Sequence, residues 1–216
     1  MHNSLNNLIE IEKEIQLNNS IIFPKIIAVS KTQPMTSILP LINHGHLDYG
    51  ENKVQEAIGK WENIKSDFSH INLHMIGKLQ SNKAKYVISL FDYIHSLDNL
   101  KLAEKISSEQ IKQNKKIKIF IQINIGDELQ KNGVSPLNVD KFYKQCTQDL
   151  GLNIIGFMCL PPNNTNVSSY FLKMQNLKMN FNLPELSMGM SNDYLDAIKF
   201  QSTFLRIGSK IFGQRD

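Results

Sequence analysis

Lys25-Ile26-Ile27-Ala28-Val29-Ser30-Lys31 is the stretch on which the fold turns. Four apolar residues in unbroken succession read as a short strand buried on both faces. Seven similar runs follow: His46–Tyr49, Asn72–Ile76, Tyr93–His95, Ile117–Asn124, Asn153–Met158, Pro184–Ser187 and Phe204–Ile207. Helical stretches separate them, near Met35–His44, Asn52–Lys65, Ser81–Leu90, Asn99–Asn114, Leu137–Asp149, Val167–Phe181 and Asp193–Phe200. One more helix, about Asn3–Leu17, precedes the first strand, with Leu5, Leu8, Ile11 and Ile15 on one side. Strands that alternate with helices pair in parallel, because a parallel crossover needs a connection of helix length. Eight such units predict an α/β fold, a closed (β/α)8 TIM-type barrel, at about 26 residues per unit. The competing fold, a doubly wound open sheet, would start with a Gly-rich turn. Here the first strand runs instead into Ser30-Lys31-Thr32. No repeat, low-complexity segment or linker is visible, so residues 1–216 read as a single domain. Residues 1–20 would supply an extra N-terminal helix packed on the barrel.

The composition narrows the function classes. At 216 residues, 41% apolar and 20% charged, the chain can bury a sizeable core and is neither disordered nor fibrous. No apolar run approaches the ~18–20 residues that cross a bilayer. The opening MHNSLNNLIEIEKEIQ is polar and acidic, unlike a secretory signal. Cys146 and Cys159 are too few for a disulfide framework and lack metal-ligand spacing. These features predict a protein of the reducing cytoplasm, away from membranes. A net charge of +4 is weak ground for a nucleic-acid partner, and no RNA- or DNA-binding signature accompanies it.

A barrel of this kind carries its site at the C-terminal ends of the strands. Those ends read Lys31, Glu51-Asn52, His74 with Gly77, His95-Ser96, Asn124, Met158, Ser187, and Arg206 with Gly208-Ser209. Lys31 is either one of many solvated lysines or an amine aimed at the barrel mouth, able to attack a carbonyl once desolvated. The loops after strands 7 and 8, Leu186-Ser187-Met188-Gly189-Met190-Ser191 and Arg206-Ile207-Gly208-Ser209, each combine a hydroxyl, a glycine and a helix start. They are either ordinary turns or the two halves of an anion cradle. An amine facing a phosphate cradle points to a phosphorylated carbonyl compound. Either an aldolase acting on a sugar phosphate or a protein holding pyridoxal phosphate satisfies it. Arg206 favours the second, since an arginine can partner a pyridine nitrogen, but residue chemistry alone leaves the aldolase open.

Taken together, Ala28-Val29-Ser30-Lys31-Thr32-Gln33-Pro34, Tyr49-Gly50-Glu51-Asn52-Lys53-Val54-Gln55-Glu56 and His74-Met75-Ile76-Gly77-Lys78-Leu79-Gln80-Ser81-Asn82-Lys83 resemble the YggS/PROSC family of pyridoxal phosphate homeostasis proteins. Ile94–Asp98, Gln122–Asn124, Gly156–Met158, Leu186–Ser191 and Arg206–Gly213 match in the same order. The resemblance implies a barrel like the N-terminal domain of alanine racemase, with pyridoxal 5'-phosphate held as a Schiff base on Lys31. It implies phosphate contacts from Ser187, Met188 and Gly189 and from Gly208 and Ser209, Arg206 at the pyridine nitrogen, and Asn52 in the pocket. Its implied role is intracellular vitamin B6 homeostasis, in which a monomer holds the cofactor and passes it to apo-enzymes that require it. The chain departs from the family pattern at Lys78, often histidine, at Gln130, where a serine is usual, at Phe157 for leucine, and at Cys159 for threonine.

The alternative is a pyridoxal phosphate enzyme, an amino-acid racemase. Racemases of this fold carry a second domain with a second acid/base. Here the chain stops at Asp216, which predicts that none is present and that robust catalysis is absent. The six histidines show no metal-ligand spacing, and no metal is expected. His74 and His95 lie in strands, so at least one belongs to the pocket or the core. Trp61 and Cys146 read as core, and Lys112–Lys118 as a solvated helix end. Ser96 or Asp98, and Asn192 or Asp193, are candidate helix caps. Ser135-Pro136 reads as a cap and first helical residue.

Overall fold

The computed structural model of the chain describes residues 2–18, 23–126, 132–162 and 166–214. Eight parallel strands close into a barrel in sequence order. They are β1 (Lys25–Val29), β2 (Asp48–Glu51), β3 (Asn72–Met75), β4 (Tyr93–Leu97), β5 (Lys118–Ile123), β6 (Ile154–Cys159), β7 (Glu185–Ser187) and β8 (Phe204–Ile207). Closure is made by β1 against β8, with Ile27 opposite Arg206 and Ala28 opposite Ile207. The helices are α1 (Asn3–Leu17), α2 (Met35–Asn43), α3 (Val54–Asp67), α4 (Ala84–Leu90), α5 (Leu100–Gln113), α6 (Val139–Lys144), α7 (Val167–Asn180), α8 (Tyr194–Lys199) and α9 (Ser209–Phe212).

Two shells of side chains hold the barrel. Inside it, Ile27, Tyr93, Phe120, Met158 and Phe204 form a buried layer. Inward residues recur with period two along a strand. A much larger cluster lies between the sheet and the helices and includes Leu73, Trp61, Phe91, Ile119, Phe171 and Leu205. Trp61 and Cys146 are both core residues. Burial pushes the Cys146 thiol up to about 12, so it is not a reactive thiol.

Several local expectations need correction. β2 runs over Asp48–Glu51 rather than His46–Tyr49. Two acids sit in a fully buried strand because each has dedicated partners, described below. The helix after β4 is capped by Asn99, which accepts from the Leu102 amide at 2.9 Å, and not by Ser96 or Asp98. Asp193 stands at the start of α8, but its carboxylate takes the Met190 amide at 2.6 Å instead of an α8 amide. The helix expected over Leu137–Asp149 has three parts: a 3-10 turn at Pro136–Asn138, α6, and a π turn at Gln145–Asp149.

α1 packs its Leu8, Ile11 and Ile15 face into the outer shell, against α2 and α9. Polar ties fix it there. Ser4 Oγ donates to the Ser37 carbonyl at 2.8 Å and Asn7 Nδ2 to the Ile211 carbonyl at 2.9 Å. Lys210 Nζ donates to Glu14 at 2.7 Å and to the Tyr194 hydroxyl at 2.6 Å, and that hydroxyl donates to Glu14 in turn. The Lys210 and Tyr194 hydrogen bonds hold the Glu14 carboxyl below its ordinary value of 4.5. A depressed carboxyl stabilises the fold above its unfolded pKa, and the contribution fades as pH falls through the folded value. Acidification below about pH 4.5 is therefore expected to raise amide hydrogen exchange in α1, and Glu14→Gln to flatten that dependence. An α1 whose protection ignores pH in wild type would remove Glu14 from the account.

Candidate functional site

A cavity of about 1210 Å³ opens at the C-terminal ends of the strands. Lys31, Asn52, Arg206, Gly208 and Ser209 all line it, together with Val29, Gly77, Ser191 and Asp193. β1 explains the position of Lys31. Ile27 lies in the barrel interior and Val29 at the cavity floor, so the next residue on that face is Lys31.

The turn that carries Lys31 is tied down on both sides from β2 and α3. Ser30 donates its hydroxyl to Glu51 Oε1 at 2.8 Å, and the Ser30 carbonyl accepts Lys60 Nζ at 2.8 Å. Thr32 adopts φ +63°, an uncommon conformation for a β-branched residue, and its amide donates to Glu56 Oε1 at 2.5 Å. Lys60 joins the two acids at 3.0 Å each, and Trp61 Nε1 donates to Glu51 Oε1 at 2.9 Å. Gly77 lies so close to Asn52 that a Cβ on it would sit 2.3 Å from the Asn52 carbonyl oxygen.

Of the anion-cradle candidates, Gly208 and Ser209 lie at the cavity as expected. Ser191 joins them, its hydroxyl accepting the Gly208 and Lys210 amides at 3.3 Å. Ser187, Met188 and Gly189 do not line the cavity. Met188 is core. Gly189 adopts φ +91° under α8, where a Cβ would sit 2.7 Å from that of Ala197. Its carbonyl accepts the Arg206 amide at 2.9 Å and so ties the two loops together. Ser187 faces the barrel interior and is fully buried.

Beneath the cavity runs a string of buried polar groups. Arg206 Nη1 donates to Ser187 Oγ at 2.7 Å, and Nη2 to the Cys159 carbonyl at 2.8 Å. Ser187 Oγ lies 2.9 Å from His95 Nδ1, His95 Nε2 lies 2.9 Å from His74 Nδ1, and His74 Nε2 lies 3.0 Å from Asp48 Oδ1. Tyr93 stacks on His74 at 4.2 Å and Phe120 on His95 at 4.3 Å. Burial lowers the pKa of both imidazoles, in His95 well below the usual value, where the neighbouring His74 and the Arg206 charge also oppose protonation. Burial opposes ionisation of Asp48, but the His74 hydrogen bond and nearby positive charge outweigh it and bring the carboxyl below its ordinary value. The sequence places His74 and His95 in strands, at least one of them a pocket or core residue, but does not link them. The link needs the β3–β4 register, His74 opposite Tyr93, which no local pattern encodes.

The residues present suit a cofactor with an aldehyde, a phosphate and a ring nitrogen: an amine, a hydroxyl- and amide-lined turn, and a buried guanidinium meet in one cavity. Among the described residues, Glu51 Oε2, Asn52 Oδ1 and Ser96 Oγ are buried without a hydrogen-bond partner. Of these three, Asn52 lines the cavity, while Glu51 and Ser96 stand at the ends of β2 and β4 outside its lining.

The alanine racemase N-terminal domain family matches residues 7–216. The pyridoxal phosphate homeostasis protein of Aquifex aeolicus is 38% identical over 200 residues, covering 88% of this chain and 87% of that one. The chain belongs to the pyridoxal phosphate homeostasis proteins of that family. The relative from Escherichia coli K12 is 34% identical over 200 residues, covering 88% of this chain and 86% of that one. PipY of Synechococcus elongatus, solved with PLP bound, superposes with a TM-score of 0.84 at 29% identity and covers 97% of this chain and all of that one. An alanine racemase of Clostridium difficile shares the fold alone, with a TM-score of 0.74 at 14% identity; this chain spans 56% of its length. The kinship expected from the motifs thus holds. Of the family-pattern departures, Lys78 is exposed and outside the cavity lining. Phe157 packs in the core against Phe181, and Gln130 lies outside the described residues. Burial raises the Cys159 thiol to about 12 against the opposing charge of Arg206, whose hydrogen bond is to the Cys159 carbonyl.

Proposed function

We propose that this chain binds pyridoxal 5'-phosphate at the barrel mouth and takes part in vitamin B6 homeostasis in the cytoplasm, holding the cofactor for apo-enzymes without turning over a substrate of its own. The observation that carries the reading is the meeting of Lys31 and Arg206 in one cavity, on the two strands that close the barrel. Bound there, pyridoxal phosphate would supply an aldehyde that an amine can capture and a ring that withdraws electrons. Lys31 is the amine. Gly208, Ser209 and Ser191 offer amides and hydroxyls to the phosphate, and Asn52 lines the cavity from the end of β2. Arg206 donates toward the ring nitrogen. A guanidinium does not give up its proton there, so the nitrogen stays unprotonated and the ring is a weak electron sink. That chemistry favours holding over racemisation.

A titration of two ligands against two proteins tests the reading. Ser209→Ala is expected to weaken pyridoxal phosphate retention about tenfold, the value of one hydrogen bond to a charged group. Pyridoxal, which lacks the phosphate, should bind wild type poorly and be indifferent to the change. Equal penalties for both ligands would reduce Ser209 to a helix-end residue and sink the cradle. In the same preparations, racemisation of common amino acids followed by chiral chromatography should be negligible. Turnover in the ordinary range of ~1–10³ s⁻¹ would restore the racemase alternative.

A further inference from the structure

With both imidazoles neutral, the state burial favours, the buried string below the cavity has one self-consistent arrangement of protons. Arginine can only donate, and an ionised carboxylate can only accept. Asp48 therefore takes the Nε2–H of His74. A neutral His74 then offers Nδ1 as an acceptor, which the Nε2–H of His95 must fill. His95, neutral in turn, presents Nδ1 as an acceptor, and the Ser187 hydroxyl donates to it. The Ser187 oxygen receives Arg206 Nη1–H. Every hydrogen points the same way, from Arg206 at the cavity to Asp48 near the opposite end of the barrel. Aromatic faces wall the string, Tyr93 on His74 and Phe120 on His95, with Phe204 packed beside both imidazoles. In such low-dielectric surroundings each hydrogen bond polarises the next.

We infer that Asp48, His74, His95 and Ser187 form a one-way hydrogen-bond relay that orients the Arg206 guanidinium, making these four positioning residues for the ring end of the ligand in the site. The inference rests on the cofactor reading above for the identity of that ring. It also reassigns Ser187. A hydroxyl that donates to His95 and accepts from Arg206 is committed to the relay and serves no phosphate.

Imidazole ¹⁵N spectra of the full chain, before and after loading with pyridoxal phosphate, read the relay directly. In wild type, His74 and His95 should both be neutral Nε2–H tautomers. A predominant Nδ1–H form at either residue overturns the inference. Asp48→Asn keeps the shape but can donate as well as accept, so it should release the direction and give mixed tautomers at both histidines; an unchanged single tautomer pair overturns the one-way assignment. Ser187→Ala cuts the tie to Arg206 and should weaken pyridoxal and pyridoxal phosphate alike, each about tenfold. A penalty confined to pyridoxal phosphate would make Ser187 a phosphate ligand, and no penalty would make it a bystander; either result overturns the positioning role. Should wild type bind no pyridoxal phosphate at all, the cofactor reading fails, while the tautomers still judge the relay.

Discussion

Lys31→Ala is expected to abolish the visible absorbance band of the protein loaded with pyridoxal phosphate, together with any adduct that survives borohydride. The effect should be a complete loss rather than a weakening, because Lys31 is the one lysine among the described residues that line the cavity. Its place follows from strand periodicity, and its turn is held at Ser30 and Thr32 by Glu51, Lys60 and Glu56. Phosphate contacts alone could still retain cofactor in the variant, so the measurement is the fixed adduct located by peptide mapping. An adduct on Lys78 or Lys83 in wild type would show that the strand-end argument chose the wrong amine.

Lys60→Met should cost about 3–5 kcal/mol of stability, the range found when one partner of a buried ion pair is removed. The Glu51 carboxylate is fully buried, and Lys60 is the cation that meets it, with its own side chain only 11% exposed. Ser30 and Trp61 would still donate to Oε1, but neither carries charge. Urea unfolding of the two proteins compares them. The double change Lys60→Met with Glu51→Gln should recover much of the loss, since it leaves no charge at the fully buried position, and Glu56, the other acid that Lys60 meets, is partly exposed to solvent. A single-variant loss below ~1 kcal/mol would mean that the pair behaves like a solvent-screened surface bridge. Because Lys60 also holds the Ser30 carbonyl, the single variant should retain less pyridoxal phosphate even under conditions where it is fully folded.

The parts of the fold that could be read from the sequence are those whose signal is local. Unbroken apolar runs such as Ile26–Val29 gave strands, and the spacing of Leu8, Ile11 and Ile15 gave α1 with its observed limits. Lys31, Arg206, Gly208 and Ser209 reach the cavity because each ends a strand or lies in the turn after it, a signal local to the sequence. Asp48 and Glu51 misled the reading of β2, since a charged side chain argues against burial unless its partner is known. Those partners, His74 for one and Lys60 with Trp61 for the other, come from other elements of the barrel. Ser187 departs from its expected place at the cavity for a related reason. The motif shows that a hydroxyl is present at the end of β7, but only the closed barrel shows that it turns inward to Arg206 and His95.

The docking of α1 has a consequence for how the protein comes off the ribosome. Glu14 and Lys210 are 196 residues apart in sequence. At ~5–20 residues per second, α1 waits roughly 10–40 s between its own synthesis and that of its partners in α8 and α9. During that interval its Leu8, Ile11 and Ile15 face lacks those partners, and β1 lacks β8. The turn of Gly208 and Ser209 follows β8 directly and is made in the same late interval. A nascent chain therefore carries Lys31 long before Gly208 and Ser209 complete the cavity lining beside it.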